Sequence, residues 1–225
     1  MKRPGIHDIG LAVCFVLLAV IALRPTGVVG GRLREWNAER QLLALYREER
    51  RQAAAGRGSV LGSGAAPQVI FEFSDYQCPF CRFSHETVKG WVASGEVRVV
   101  LVHVPLSDRS AQAARAAICA EVEGMFPRMH DYLMTNGDWQ TGEVDWESIA
   151  VAADIPAGTS FARCMASAAT AERLARDAAL ADRWRVTGTP TFVSARARVG
   201  GAATQGDLKK LIDRGGRAPI PDIAP

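Results

Sequence analysis

The sequence predicts an α/β fold, in which a small mixed sheet is flanked by helices and interrupted by a helical insertion. The first observation is a βαβ pattern, with β-rich apolar runs at residues 68–74 and 96–106 on either side of a helical stretch at residues 82–93. The second is the Ala-rich composition of residues 107–184, which favours helices. The third is a pair of short strand-like runs before a closing helix at residues 204–214.

A βαβ unit followed by a hairpin and a helix makes one small sheet with helices on both faces. The two hairpin strands are expected at residues 191–194 and 196–199. The helices between the βαβ unit and the hairpin are then an insertion and not a core element. One helical stripe of the insertion is expected to face the core, and it comprises Met125, Phe126, Met129 and Leu133.

Composition is that of a globular protein, with 48% hydrophobic and 23% charged residues among 225. The formal net charge of +3 is too small to indicate nucleic-acid binding. Residues 1–58 carry ten Lys or Arg against five Asp or Glu, so this arm is basic and the rest of the chain is nearly neutral.

Residues 1–31 have the pattern of an N-terminal membrane anchor or signal segment. Lys2 and Arg3 precede an uncharged, mostly apolar run at residues 9–23, which as a helix would span roughly 22 Å of the ~30 Å of hydrocarbon. We favour an uncleaved anchor over a cleaved signal peptide. A buried soluble helix would be amphipathic, and this run is apolar on all sides.

Residues 32–58 are expected to form a charged helical stalk and linker between the anchor and a folded domain at residues 59–225. The simplest interpretation is a solvated helix, and a short coiled coil or a membrane-surface helix is the alternative. Residues 56–67 are rich in Gly and Ser, which is typical of a flexible linker.

Cys78 and Cys81 stand three residues apart at the predicted start of a helix, so both sulfurs lie on one side of its first turn. Pro79 suits the first helical position, where its missing N–H is not needed. Free N–H groups and the helix dipole would stabilise a thiolate on Cys78. The motif therefore predicts disulfide exchange in which Cys78 reacts first and Cys81 resolves the mixed disulfide.

A zinc half-site and a purely structural disulfide are the alternative interpretations of this motif. Zinc takes four ligands, usually from a second Cys or His pair at short spacing. Cys119 and Cys164 are 45 residues apart and belong to no second CxxC motif. We therefore expect neither a metal nor another cofactor.

The stretch FEFSDYQCPFC, followed by TGTPTF a little over a hundred residues later, resembles the DsbA family of bacterial thiol–disulfide oxidoreductases. The resemblance covers roughly residues 59–215. It implies a thioredoxin-like fold with an inserted helical subdomain at about residues 107–184. It also implies a cis-proline loop at Thr189 and Pro190 beside the dithiol, whose backbone would pair with an extended substrate peptide.

Two further residues take their roles from this resemblance. Strongly oxidising members usually carry His where this chain has Phe80, and Phe cannot offer the thiolate a charge or a hydrogen bond. Glu72, six residues before Cys78, matches the buried acid beneath the dithiol that relays a proton to or from Cys81. The alternative for Glu72 is a solvent-facing position on an edge strand.

These features predict an extracytoplasmic thiol–disulfide oxidoreductase, most simply a dithiol oxidase of secreted proteins. A reductase or isomerase of the same fold is the alternative, although such isomerases have a substantial N-terminal dimerisation domain and residues 24–58 are short and charged. A non-redox peptide-binding chaperone module is an alternative of another class. The expected partners are reduced or unfolded secreted proteins, a membrane redox partner that recycles the dithiol, and the membrane itself through residues 9–23.

The sequence also leads to expectations for the cysteines outside the motif and for two histidines. Cys119 and Cys164 lie among Ala and other apolar residues, and in an oxidising compartment two such cysteines either pair or remain small hydrophobes. We expect a structural disulfide between them, while Cys14 lies in the N-terminal apolar run. His85 is expected on the surface and His103 in the core.

Overall fold

The computed structural model describes residues 14–16, 18, 20–21, 28–54, 58–156, 158–195, 197–202 and 204–215. The chain divides into two units, residues 1–45 and 46–225. Most of the predicted anchor at residues 9–23 lies outside the described residues. Among the described helices, none combines the length and apolarity that crossing a membrane requires.

Within the described residues, five strands form one mixed sheet in the order β1-β3-β2-β4-β5. The strands are β1 (Ser59–Leu61), β2 (Gln68–Ser74), β3 (Val97–His103), β4 (Thr191–Val193) and β5 (Arg198–Gly200). Only β2 and β3 pair in parallel, and the other three pairings are antiparallel. The predicted α/β class with a mixed sheet is therefore confirmed.

Helix α2 connects β2 to β3, and five helices lie between β3 and β4 as the predicted insertion. The described helices are α1 (Val28–Ala54), α2 (Pro79–Ala93), α3 (Asp108–Val122), α4 (Phe126–Thr135), α5 (Trp146–Ala152), α6 (Thr159–Ala166), α7 (Ala168–Arg183) and α8 (Gln205–Gly215). The stripe predicted to face the core does so, because Phe126, Met129 and Leu133 are buried and Met125 packs against them.

The linker predicted at residues 56–67 contains β1, so that prediction is wrong for Ser59–Leu61. β1 is an antiparallel edge strand that pairs Ser59 with Leu101 of β3. Gly62 then turns with φ +95°, and a Cβ there would lie 2.9 Å from the carbonyl oxygen of Val97. This segment forms a strand because it pairs with β3, although its local composition does not favour one.

The sheet buries a different apolar layer on each face. Ile70 and Leu101 belong to the layer shared with α2 and the insertion. On the other face, Phe71 and Phe73 lie with ring centroids 5.4 Å and 5.5 Å from that of Trp184, the C-cap residue of α7. Cys78 and Cys81 belong to the first of these layers.

The interpretation of α1 as a fully solvated stalk is wrong from Tyr46 onward, where the chain belongs to the second unit. Tyr46 is buried, its ring centroid lies 5.5 Å from that of Phe71, and its hydroxyl donates to the carbonyl oxygen of Val69 at 2.7 Å. Burial of this aromatic ring against the sheet fixes the end of α1.

A disulfide joins Cys119 of α3 to Cys164 of α6, with Cα atoms 5.7 Å apart. Cys119 is fully buried and Cys164 is partly buried. The hydroxyl of Thr170 on α7 donates to the carbonyl oxygen of Cys164 at 2.8 Å. Three helices of the insertion therefore meet at this bond.

Candidate active site

Cys78 is the N-cap residue of α2, with Pro79 in the first turn. The buried carboxylate of Asp75 shapes the loop before it. Its Oδ1 accepts from the backbone N–H of Gln77 at 2.6 Å and of Cys78 at 3.2 Å, and its Oδ2 accepts from the N–H of Leu106 at 2.6 Å. Asp75 thus ties the start of α2 to the segment that follows β3.

The two cysteines of the motif differ in their access to solvent. Both are free thiols in the structure, and Cys81 is fully buried while Cys78 is 9% exposed. The Cys78 thiol donates to the carbonyl oxygen of Thr189 at 3.3 Å. The Thr189–Pro190 peptide bond is cis. The fold therefore brings together the two motifs that are more than a hundred residues apart in sequence.

Three exposed apolar side chains belong to the segments that carry or adjoin the motif, namely α2 and the loop whose backbone binds Asp75. Phe80, Phe83 and Leu106 are 60%, 69% and 70% exposed, and we refer to them as the apolar rim. Phe83 follows Phe80 by three residues on α2, so both project from the same side of the helix. Sequence reasoning missed Phe83 and Leu106, although the helical spacing could have identified Phe83.

Glu72 lies on β2, between β3 and β4, and is almost completely buried. The edge-strand alternative for Glu72 is therefore wrong. Burial raises its pKa to about 7, and the hydroxyl of Ser74 opposes this rise more weakly. The Glu72 carboxyl therefore changes between its neutral and its charged form near neutral pH.

Burial also raises the pKa of the Cys81 thiol far above its ordinary value. The Asp75 backbone N–H and the Ser74 hydroxyl lower it in part, and the charges of Glu72 and Cys78 raise it further. The buried acid therefore acts electrostatically on the buried thiol. Both groups favour their protonated forms because the interior solvates charge poorly.

Glu72→Gln is expected to stabilise the protein at high pH and to leave stability almost unchanged at low pH. The pKa of Glu72 rises from 4.5 in the unfolded chain to about 7 in the folded chain. Its destabilising contribution is therefore absent below pH 4.5, grows as the pH rises towards 7, and is constant above that. Urea unfolding at pH 8 should show a gain of about 3 kcal/mol as an upper figure.

The matched control is Glu86→Gln, which removes an exposed carboxylate from α2. It should change the free energy of unfolding by less than about 1 kcal/mol at every pH. A stability difference between Glu72→Gln and the native chain that does not vary between pH 4.5 and pH 8 would contradict the assigned environment of Glu72.

The prediction that His85 lies on the surface is wrong. It is 3% exposed, and its Nε2 lies 2.9 Å from Oδ1 of Asp131 on α4. The insertion covers the face of α2 that carries His85, which local sequence does not reveal. His103 lies in the core as predicted, and burial lowers its pKa to about 3.

Within the described ranges, no group of three or more His, Cys, Asp or Glu side chains is arranged to hold a metal ion. Cys119 and Cys164 are bonded to each other. They therefore cannot complete a tetrahedral zinc site with Cys78 and Cys81.

Comparison with known proteins agrees with this geometry. The sequence model of the family described as Thioredoxin matches residues 54–214. A thioredoxin-like oxidoreductase from Silicibacter pomeroyi DSS-3 is 31% identical, with 75% of this chain and 98% of that chain covered and a TM-score of 0.64. The thiol-disulfide exchange protein alpha-DsbA2 from Wolbachia pipientis shares the fold at 17% identity, with 80% and 97% covered and a TM-score of 0.67.

Curated relatives include the Na(+)/H(+) antiporter NhaA 3 of Salinispora tropica, which is 34% identical over 140 residues. The match covers 60% of this chain and 21% of the antiporter, so the chain spans about a fifth of that relative's length. The Thioredoxin match, in contrast, covers most of the chain. The chain therefore belongs to the thioredoxin family, with the architecture of its DsbA-like thiol–disulfide oxidoreductases.

Proposed function

We propose that this protein is an extracytoplasmic dithiol oxidase, which passes the Cys78–Cys81 disulfide to thiols of secreted proteins. One observation carries the proposal. The more accessible sulfur, on Cys78, stands at the N-terminus of α2, and the fully buried Cys81 lies one turn further on. Because of this difference in access, Cys78 is the sulfur that exchanges with the substrate, and Cys81 is its buried partner in the internal disulfide.

The reaction begins with the oxidised motif. A substrate thiolate attacks Sγ of Cys78, which forms a mixed disulfide and releases Cys81 as a thiolate. A second substrate thiolate then attacks the substrate sulfur of the mixed disulfide and releases Cys78. The substrate dithiol loses two electrons, and the motif gains them as two thiols.

Glu72 supplies the proton that the released Cys81 thiolate needs. The raised pKa of Cys81 means that its thiolate takes up a proton readily. The pKa of Glu72, about 7, allows the carboxyl to hold that proton or to give it up. In the reverse direction Glu72 accepts the proton as Cys81 attacks.

The substrate is an extended, apolar segment of an unfolded protein. The apolar rim offers exposed hydrophobic surface around the motif. The carbonyl oxygen of Thr189, which accepts from Cys78, lies where the backbone of such a segment would approach. We propose that Phe80 serves the site mainly through this apolar contact.

The cell envelope is the proposed compartment because disulfides persist there. Residues 9–23 would anchor the chain in the cytoplasmic membrane, with the basic N-terminus inside. A membrane redox partner would accept the two electrons and reoxidise the motif.

The reduction potential of the Cys78–Cys81 pair, measured against glutathione, tests the direction of transfer. For an oxidase we expect a value above about −200 mV, and rapid oxidation of a reduced substrate protein. A value near that of thioredoxin, about −270 mV, together with catalysed insulin reduction, would assign the protein to the reductases. Full activity on unfolded substrate in Cys78→Ser would instead assign it to the chaperones.

A further inference from the structure

Arg98 is a buried cation, and among the described residues no carboxylate pairs with it. It lies near the start of β3 and is 7% exposed, and its Nε is buried. In the described part of the chain, Nε of Arg98 has no hydrogen-bond acceptor, and no acidic group acts appreciably on its charge. Desolvation lowers its pKa first, and the nearby charge of Arg50 lowers it further.

Arg50 lies one turn after Tyr46 on α1, so the two side chains leave the helix on the same face. Tyr46 packs against the sheet at Val69, which is the β2 residue in register with Arg98. Arg50 and Arg98 both lower the pKa of the Tyr46 hydroxyl, which burial raises to about 12. Arg98, through the register of β3 with β2, and Arg50, through its helical spacing, therefore both lie close to Tyr46.

The acidic residues on this turn of α1 are already engaged. Glu48 pairs with Arg51 at 2.8 Å, and Glu49 pairs with Arg183 at 4.0 Å. Among the described groups, the charges that act appreciably on Arg98 are those of Arg50 and Tyr46. The Tyr46 hydroxyl already donates its proton to Val69, so the free donors of this cluster are the guanidinium N–H groups.

We infer that Arg98 and Arg50 form a binding site for a phosphate group. A buried guanidinium without an anion is costly, and the charge of the partly exposed Arg50 nearby adds to that cost. The planar fork of guanidinium donors matches phosphate oxygens in a bidentate geometry. An anion between the two arginines would both satisfy the donors and cancel the repulsion.

The site is separate from the disulfide chemistry. Arg98 and Val69 lie at the amino ends of the parallel strands β3 and β2, whereas Cys78 follows the carboxyl end of β2. The ligand is either free inorganic phosphate or the phosphodiester of an anionic lipid headgroup. Both would present negatively charged phosphate oxygens to the two arginines.

Thermal unfolding of the full chain in neutral detergent tests this site. Inorganic phosphate and glycerophosphoglycerol, the soluble headgroup of phosphatidylglycerol, are compared with chloride at equal ionic strength. Each bound anion should raise the melting temperature, and saturation at one hundred times its dissociation constant should raise the folding equilibrium constant about 100-fold. The probe with the stronger effect identifies the source of the phosphate.

Arg98→Gln should abolish the rise, and Arg50→Gln should weaken it at least tenfold in apparent dissociation constant. Arg47→Gln removes the same charge from an exposed position on the same helix, and it should keep the full response. Disulfide exchange at Cys78 should be unchanged in all three variants. If Arg98→Gln fails to fold, Arg50→Gln decides the result.

Two results would overturn the inference. One is the absence of any rise with either anion beyond that with chloride. The other is a full rise in melting temperature in Arg98→Gln, which would limit the arginines to a packing role. If Arg98→Gln does not fold, a full rise in Arg50→Gln has the same meaning. Neither result would bear on the proposed disulfide exchange, which is measured independently.

Discussion

Replacing Cys78 with serine is expected to abolish disulfide exchange, whereas replacing Cys81 with serine should leave a stable mixed disulfide between Cys78 and the substrate. Cys78 is the accessible sulfur at the N-terminus of α2, and Cys81 is fully buried. Without Cys78 a substrate has no sulfur within reach, so the rate should fall at least about a thousandfold. Without Cys81 the internal disulfide cannot form. The external disulfide then oxidises Cys78, a substrate thiolate exchanges onto it, and a substrate with a single thiol stays bound because no Cys81 is present to release it.

Non-reducing electrophoresis after incubation with a substrate protein that carries a single thiol, together with an external disulfide, distinguishes these outcomes. The mixed disulfide should accumulate in Cys81→Ser and be absent in Cys78→Ser. Cys14→Ser, which changes a cysteine outside the motif, should behave like the native chain. In the reduced native chain, iodoacetamide at mildly acidic pH should modify Cys78 first. Accumulation in Cys78→Ser with preferential alkylation of Cys81 would reverse the assigned roles.

The position of the motif could be predicted because local rules act on it directly. Proline after Cys78 starts a helix, and three-residue spacing puts Cys81 on the same side of it. The loop at Thr189 and Pro190 could be predicted only through family resemblance. No spacing rule brings a loop 111 residues away to 3.3 Å from the Cys78 sulfur.

What the sequence could not predict depends on contacts between distant segments. β1 exists because β3 offers it a free edge, and it lies within a Gly- and Ser-rich stretch that is otherwise typical of a linker. His85 is buried because α4 covers it, although its helical position alone suggests a surface residue. Asp75 could be assigned to a turn, but its bond to Leu106 could not be foreseen. Helical and strand periodicity report local geometry and not which face is covered.

The Cys119–Cys164 bond should be the largest single contributor to the stability of the insertion. The chain-entropy relation for a loop of 45 residues gives about 4 kcal/mol, and strain would reduce that figure. The Cys119→Ala and Cys164→Ala double variant is therefore expected to lose about 2 to 4 kcal/mol in free energy of unfolding. Helix α3 buries mainly alanines on its packed face, so few large side chains compensate for the lost cross-link.

Chemical unfolding and hydrogen exchange of the double variant measure this effect. Protection should fall first in α3, α6 and α7, because Thr170 of α7 bonds to the carbonyl oxygen of Cys164. The Cys78→Ala and Cys81→Ala double variant is the matched control, and it should retain protection in these helices. A dithiothreitol titration should open the Cys78–Cys81 bond before the Cys119–Cys164 bond, since Cys119 is fully buried. Mass spectrometry that finds Cys119 and Cys164 free in the oxidised protein, or a loss below about 1 kcal/mol, would show that the insertion is held by packing alone.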